Sequence, residues 1–271
     1  MGESQAQTPL NMNNRCTIVV PCYNEAHRLP SEKFVEFVHQ GCDIDFLFVN
    51  DGSADNTLEI LERLQRVCGP AVAVLDKKVN GGKAEAVRDG MIRAIQEGNS
   101  GFVGFWDADL ATPLSSISPL RQELIDDPEL QMVFGSRVRL LGRHVHRRAV
   151  RHYLGRTFAT VVSIVLRLPI YDTQCGAKIF RVTPELAQIL SQPFISRWVF
   201  DVEIIARFIA LNHGDSRALY DSIYEYPLER WEDVAGSKVK PGDFLLAFLD
   251  VFRIHAKYLA GARRLAGADP V

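Results

Sequence analysis

From residue 16 to residue 106 the chain alternates short apolar runs with polar segments whose apolar residues recur at helical spacing. Residues 16–20, 45–49, 71–75 and 102–106 read as buried strands, since each is a β-branched or aromatic run closed by turn-forming residues. Residues 31–41, a segment with Leu58, Leu61, Leu64 and Val67 on one face, and residues 83–96 read as the intervening helices. This alternation predicts an α/β fold of right-handed β-α-β units around a mostly parallel sheet. Further on, residues 132–135 predict a fifth strand, and residues 157–171, with Ala149 and Leu154, a helix lying across the site that the strand ends form. Thr183-Pro184-Glu185 opens a helix with a Thr cap and Pro in its first turn. Residues 197–208 predict another, with Trp198, Asp201 and Glu203 at its start. Residues 231–243 have no apolar period and read as a mobile loop. Phe244, Leu245, Phe248, Val251, Phe252, His255 and Leu259 then recur at helical spacing, with Arg253, Lys257, Arg263 and Arg264 elsewhere. The organisation predicted is a disordered tail at 1–14, one α/β domain at 15–241, and an amphipathic helix at 242–271, packed on that domain or lying in a membrane interface.

Composition narrows the setting. A formal net charge of −2 leaves no global field to select nucleic acid or an anionic surface, so any basic site must be local. Five cysteines are an odd number and contain no C-x-x-C pair, which opposes a disulfide framework or zinc knuckle and fits a reducing cytosol. The first fifteen residues lack the apolar core of a secretory signal, and no apolar run approaches the roughly 20 residues that span a bilayer. The expected location is cytoplasmic, with peripheral contact at the cytoplasmic membrane face left open.

In open parallel sheets ligands bind beyond the carboxyl ends of the strands. The residues there are Tyr23-Asn24-Glu25, Asn50-Asp51-Gly52-Ser53, Asn80-Gly81-Gly82-Lys83 and Asp107-Ala108-Asp109. Side chains alternate faces along a strand, so Asp107 and Asp109 point one way and Ala108 the other. Two carboxylates on one side can hold a divalent cation whose remaining positions go to substrate phosphate and water; a solvated turn is the alternative. Neither G-x-G-x-x-G nor G-x-x-x-x-G-K-[ST] is present, so phosphates must be held by metal and side chains.

Residues 137–156 carry seven arginines and three histidines with no acid. Beside a diphosphate site such a block suits phosphate binding, because guanidinium pairs bidentately with phosphate oxygens. An anionic membrane contact, an RNA patch and a solvated face are the other readings. RNA is disfavoured, since only Tyr153 interleaves an aromatic residue.

In order and spacing, Val-Pro-Cys-Tyr-Asn-Glu (20–25), Asn-Asp-Gly-Ser-Ala-Asp-Asn-Thr (50–57), Asn-Gly-Gly-Lys (80–83) and Asp-Ala-Asp (107–109) resemble family 2 inverting glycosyltransferases of the GT-A fold. Asp172-Thr173-Gln174-Cys175-Gly176-Ala177-Lys178, Arg197-Trp198-Val199-Phe200-Asp201-Val202-Glu203, and Trp231 with Gly236-Ser237-Lys238 resemble the dolichyl-phosphate glucosyltransferase branch. The resemblance covers roughly residues 15 to 255. It implies that Pro21, Tyr23, Glu25 and Asp51 face the nucleoside with Lys83 beside them, and that Asp107 and Asp109 hold Mg²⁺ or Mn²⁺ on the diphosphate. Ala108, Arg137 and Trp198 complete the implied donor site. Mannose synthases of the family carry glutamine where this chain has Ala111, which favours UDP-glucose over GDP-mannose as donor. The implied acceptor is a polyprenyl phosphate, although eukaryotic members of the branch carry an N-terminal anchor not found here. Such an acceptor is already ionised and needs no base, with Arg147 and Arg151 as its expected contacts. A soluble or glycan hydroxyl acceptor would instead call on Asp201 or Glu203 as base. A nucleotidyltransferase would need a glycine-rich, arginine-bearing loop where Pro21-Cys22-Tyr23-Asn24 stands, and a binding module would not need this full set of chemical groups.

Overall fold

The computed structural model describes residues 14–41, 43–146, 149–234 and 241–261, with only the backbone at 146, 149–153 and 241–244. The tail expected at 1–14 lies outside them apart from residue 14. The first half runs β1 (Cys16–Cys22), α1 (Ser31–His39), β2 (Ile44–Asp51), α2 (Thr57–Cys68), β3 (Val72–Lys77), α3 (Lys83–Glu97) and β4 (Phe102–Trp106). The chain continues with α4 (Ile117–Asp126), β5 (Met132–Ser136), β6 (His144–His146), α5 (Ala149–Leu166) and β7 (Ala177–Arg181). Then come α6 (Pro184–Leu190), α7 (Phe200–Leu211), β8 (Ile223–Pro227), β9 (Arg230–Glu232) and α8 (Pro241–Ile254), which passes into a π-helical turn at His255–Leu259.

Seven strands form one sheet in the order β3-β2-β1-β4-β7-β5-β8, and β6 pairs with β9 in a separate ribbon. The period of two along the strands builds both faces. Ile18, Val20, Phe46, Phe48 and Phe102 pack under α1, α2 and α4, while Val19, Leu47, Val49, Val103 and Phe105 pack under α3, α5 and α7. Phe34 of α1 stands edge-on to Phe46 and Phe48, with ring centroids 5.3 and 5.0 Å apart. The expected parallel half is present, as β1 pairs in parallel with both β2 and β4, and β2 with β3.

The second half departs from the expectation in five places. β7, which the sequence pattern did not reveal, runs antiparallel between β4 and β5. Gly104 permits the crossing: a Cβ there would stand 2.3 Å from the Lys178 carbonyl oxygen. β8 was also unforeseen. The helix expected across 157–171 spans Ala149–Leu166, and the one expected from Arg197 begins at Phe200. Part of the loop expected at 231–243 is ordered, since Trp231 lies in β9 opposite Val145 of β6 and α8 begins at Pro241; residues 235–240 fall outside those described. The C-terminal helix docks on the core through Val251, Ile254 and Leu259, all fully buried, and Phe248 stands edge-on to Phe158 of α5. Among the described residues no helix is long and apolar enough to cross a membrane.

Candidate active site

The carboxyl ends of β1, β2 and β4 and the start of α3 bring the four polar loops together. Beyond β4 a tight turn forms, in which the Leu110 amide donates to the Asp107 carbonyl and the Ala111 amide to Asp109 Oδ1 at 3.1 Å. Leu110 takes a φ of 53° to make this reversal. Asp107, Ala108 and Asp109 lie in this turn beyond the end of β4, so the turn and not strand alternation sets their directions; Ala108 is buried and both acids are partly exposed. Lys83, the first residue of α3, places Nζ 2.5 Å from Asp107 Oδ1. Burial works against the Lys83 charge, but Asp107 and then Asp201 outweigh it and hold the ammonium above its ordinary pKa. Burial first, and Asp107 second, push the Asp109 carboxyl above the usual aspartate range.

Crowded acids of this kind fit a divalent cation. Among the described residues no group of three or more His, Cys, Asp or Glu side chains forms a protein cage for a metal. An ion held by Asp107 and Asp109 would therefore take its remaining ligands from substrate phosphate and water, the mode Mg²⁺ favours. Arg28 was missed in the sequence and lies beside this pair, with Nη2 3.6 Å from Asp109 Oδ2 and Nε 3.7 Å from Glu25 Oε2. No sequence period or motif marks it.

The nucleoside side is laced together by side chains. Asn24 accepts the Ala54 amide at 2.8 Å, and the Glu25 amide donates to Thr57 Oγ1 at 2.8 Å, so the loop carrying Tyr23 is tied to the loop after β2. Pro21 sits in β1 opposite Val49, and Tyr23 is exposed. Asp51 is buried and accepts the amides of Gly81 and Gly82 at 2.9 and 2.7 Å, with Lys77 Nζ at 3.2 Å. Its carboxylate thus shapes the glycine turn that launches Lys83, a role the sequence reading had not given it.

On the other side, Gly176 meets Asp107. The Asp107 amide donates to the Gly176 carbonyl at 2.9 Å, and a Cβ on Gly176 would stand 1.9 Å from Asp107 Oδ2. Asp201, in the first turn of α7, is buried and ion-paired with Lys178 at 2.8 Å; burial raises its pKa against the pull of Lys178 and Lys83. Trp198 is half-exposed on the approach to α7, and the neighbouring Arg197 side chain would stand 3.4 Å from a Cβ on Gly82.

One expectation needs correction. Glu203 is no candidate base: it is fully buried, and its oxygens accept from the amides of Ile195 and Ser196, from Arg207 and from the Tyr258 hydroxyl. Three arginines of the basic block are engaged with neighbours. Arg137 is bound bidentately to Asp172 at 2.6 and 2.7 Å, Arg143 pairs with Glu229, and Arg156 lies 3.8 Å from the centroid of the Tyr171 ring. The Arg151 side chain lies outside the described residues, as do Arg147 and Arg148.

Residues 17–185 match the family model described as glycosyl transferase family 2. The dolichyl-phosphate beta-glucosyltransferase of Drosophila melanogaster is 32% identical over 92% of this chain and 77% of its own length. The human enzyme of the same description is 30% identical over the same shares. Among solved structures, glucosyl-3-phosphoglycerate synthase from Mycobacterium tuberculosis, in complex with Mn²⁺, UDP-glucose and phosphoglyceric acid, superposes with a TM-score of 0.64. It is 17% identical and covers 89% of this chain and 80% of its own, so the likeness is one of fold.

Proposed function

The chain belongs to glycosyl transferase family 2, and from that premise we propose that it transfers glucose from UDP-glucose to a polyprenyl phosphate with inversion at the anomeric carbon. The observation that carries this reading is the pair Asp107 and Asp109 at the exit of β4, with Lys83 on one and Arg28 beside the other. Mg²⁺ or Mn²⁺ bound there would neutralise charge growing on the departing diphosphate. Lys83 and Arg28 supply fixed positive charge at the same place. In the transfer the bond between the anomeric carbon and the UDP oxygen breaks, UDP keeps the electron pair, and an acceptor oxygen forms the new bond from the opposite face. A phosphate monoester has its second pKa near 6, so this acceptor arrives ionised and no protein group need remove a proton.

The reading gives Asp201 and Arg151 testable roles. With a short polyprenyl phosphate, Asp201→Asn should lower kcat by less than about tenfold, because a general base worth roughly 10² to 10⁴ is not in use. Arg151→Ala should raise the acceptor KM. A hundredfold loss at Asp201→Asn, with Arg151→Ala near normal and a sugar hydroxyl accepted in place of the lipid, would transfer the assignment to hydroxyl glycosylation.

An exposed apolar stripe supports delivery of this acceptor from a bilayer. Leu245, Leu249 and Phe252 point outward from α8, and Ile164 from the adjoining α5. Exposed Arg253 and Lys257 flank the stripe, and Asp250 is already paired with Arg253. Such a face suits an anionic lipid surface better than a second copy, which would set like charges together. We place the protein at the cytoplasmic membrane face; the four described cysteines, all buried free thiols, accord with a reducing compartment. Co-sedimentation with anionic vesicles that Phe252→Glu leaves unchanged would refute this placement.

A further inference from the structure

Lys178 lies in the middle of β7 and is 1% exposed. Lysine is almost never fully buried unless paired, and the function proposed above does not use this one. Its Nζ has three acceptors at hydrogen-bonding distance: the Thr173 carbonyl at 2.9 Å, the Cys175 carbonyl at 2.6 Å and Asp201 Oδ1 at 2.8 Å. The two carbonyls take hydrogen bonds from the ammonium, and Asp201 meets it as an ion pair. Two of the partners lie in the turn that leads into β7, and the third is on α7.

The next residue of that turn, Gly176, accepts the Asp107 amide and leaves no room for a Cβ against the Asp107 carboxylate. The contact path therefore runs from Asp201 through the ammonium to the turn, and from the turn to Asp107. Neighbouring groups hold the rest of the turn. Asp172 is gripped by Arg137 and accepts the Gln174 amide at 3.1 Å, while Glu225 accepts the amides of Tyr171 and Asp172 at 2.8 Å each. Between Asp172 and β7, Lys178 holds the Thr173 and Cys175 carbonyls, and the Cys175 thiol also meets the Thr112 hydroxyl at 3.8 Å.

We propose that Lys178 is a positioning residue for the donor-side carboxylate: it holds the 173–176 turn and thereby sets where Asp107 stands, while keeping Asp201 at a set place across from it. This rests on the reading that Asp107 holds a divalent cation. The competing account is that Lys178 only neutralises the buried Asp201 charge.

The two accounts part in a double variant. Lys178→Met alone strands a buried carboxylate, whereas Lys178→Met with Asp201→Asn removes both charges and roughly keeps the volume. The experiment titrates UDP by calorimetry, with and without MnCl₂, into wild type, the double variant and Asp201→Asn, with thermal unfolding alongside. Groups that orient metal ligands cost about 10- to 100-fold in metal affinity when removed. The double variant should therefore fold and lose that much of its Mn²⁺-dependent UDP affinity, with metal-free UDP binding unchanged. Asp201→Asn alone should stay within about threefold of wild type.

A folded double variant with wild-type Mn²⁺-dependent affinity would overturn the proposal, as would equal losses with and without metal. If the double variant does not fold, Lys178→Arg decides. Its planar fork cannot meet three convergent acceptors, so at least a tenfold weaker Mn²⁺ effect supports the proposal and an unchanged one overturns it. Wild type that binds UDP identically with and without MnCl₂ would instead refute the function proposed above.

Discussion

Adding one methyl group at Gly176 should disable the enzyme without unfolding it. A Cβ there would lie 1.9 Å from Asp107 Oδ2, 2.2 Å from Cγ and 2.5 Å from Oδ1, where real Cβ atoms essentially never approach within 3.0 Å. About 1 Å of separation must therefore open, and Asp107 is held from two other directions. Its amide is bonded to Gly176 itself, and its carboxylate is paired with Lys83. Rotating the carboxylate away relieves the clash only by breaking the Lys83 pair and leaving Asp109. A misplacement of about 1 Å costs on the order of 100-fold in rate, or about 2.7 kcal/mol of barrier. Gly176 does not have a left-handed φ, so alanine meets no backbone strain there. A small entropic gain of about 0.4–1 kcal/mol should offset part of the clash in stability. The assay is kcat/KM for UDP-glucose at saturating Mn²⁺, with Tm measured in parallel. Activity within threefold of wild type would refute the placement of Asp107 at the reacting diphosphate; a large drop in Tm would show that the methyl group breaks the fold instead.

Other outcomes follow from the same contacts. Glu203→Gln removes the charge partner of buried Arg207 and should cost about 3–5 kcal/mol in chemical unfolding; unchanged stability with a hundredfold slower turnover would reinstate Glu203 as a base. Asp109→Asn should abolish transfer even at saturating Mn²⁺ while the fold survives. Because the Asp109 pKa is raised in the folded protein, its two linkages have opposite signs. As pH falls through that raised value, Mn²⁺ affinity should drop while the metal-free protein gains stability, and the gain is complete below the ordinary aspartate value. Calorimetric metal titrations across acidic pH test this, and Asp109→Asn should flatten both trends.

The parallel half of the sheet was legible because each strand there is an unbroken apolar run ending in polar turn residues, as in Phe102 to Asp109. β7 was not, since Ala-Lys-Ile-Phe-Arg places a lysine at a position that belongs to the core. Two nearby carbonyls and a carboxylate 23 residues away make that burial tolerable, and no local pattern reports the carboxylate. The same blindness affects the acids. Asp201 and Glu203 look alike in sequence, two positions apart, yet one borders the cleft and the other is consumed by Arg207, Tyr258 and two amides. Local charge density does not report which arginines of the basic block are already paired, for a related reason: the partners of Arg137 and Arg143 are Asp172 and Glu229, distant in sequence.

The antiparallel strand at the centre of the sheet also orders events during synthesis. β4 can pair with β1 as soon as Trp106 is free of the ribosome, but its other edge waits for residues 177–181. At about 5–20 residues per second, those intervening residues hold the edge open for roughly 4–15 s. An unpaired strand edge is a template for another chain, so this interval is when a nascent copy is most open to chaperones and to its neighbours on a polysome. Closure is not complete even when β7 emerges, because Lys178 then enters an apolar layer without its carboxylate. The strand should lock only after Asp201 follows, which makes insertion of β7 and docking of α7 a single late step.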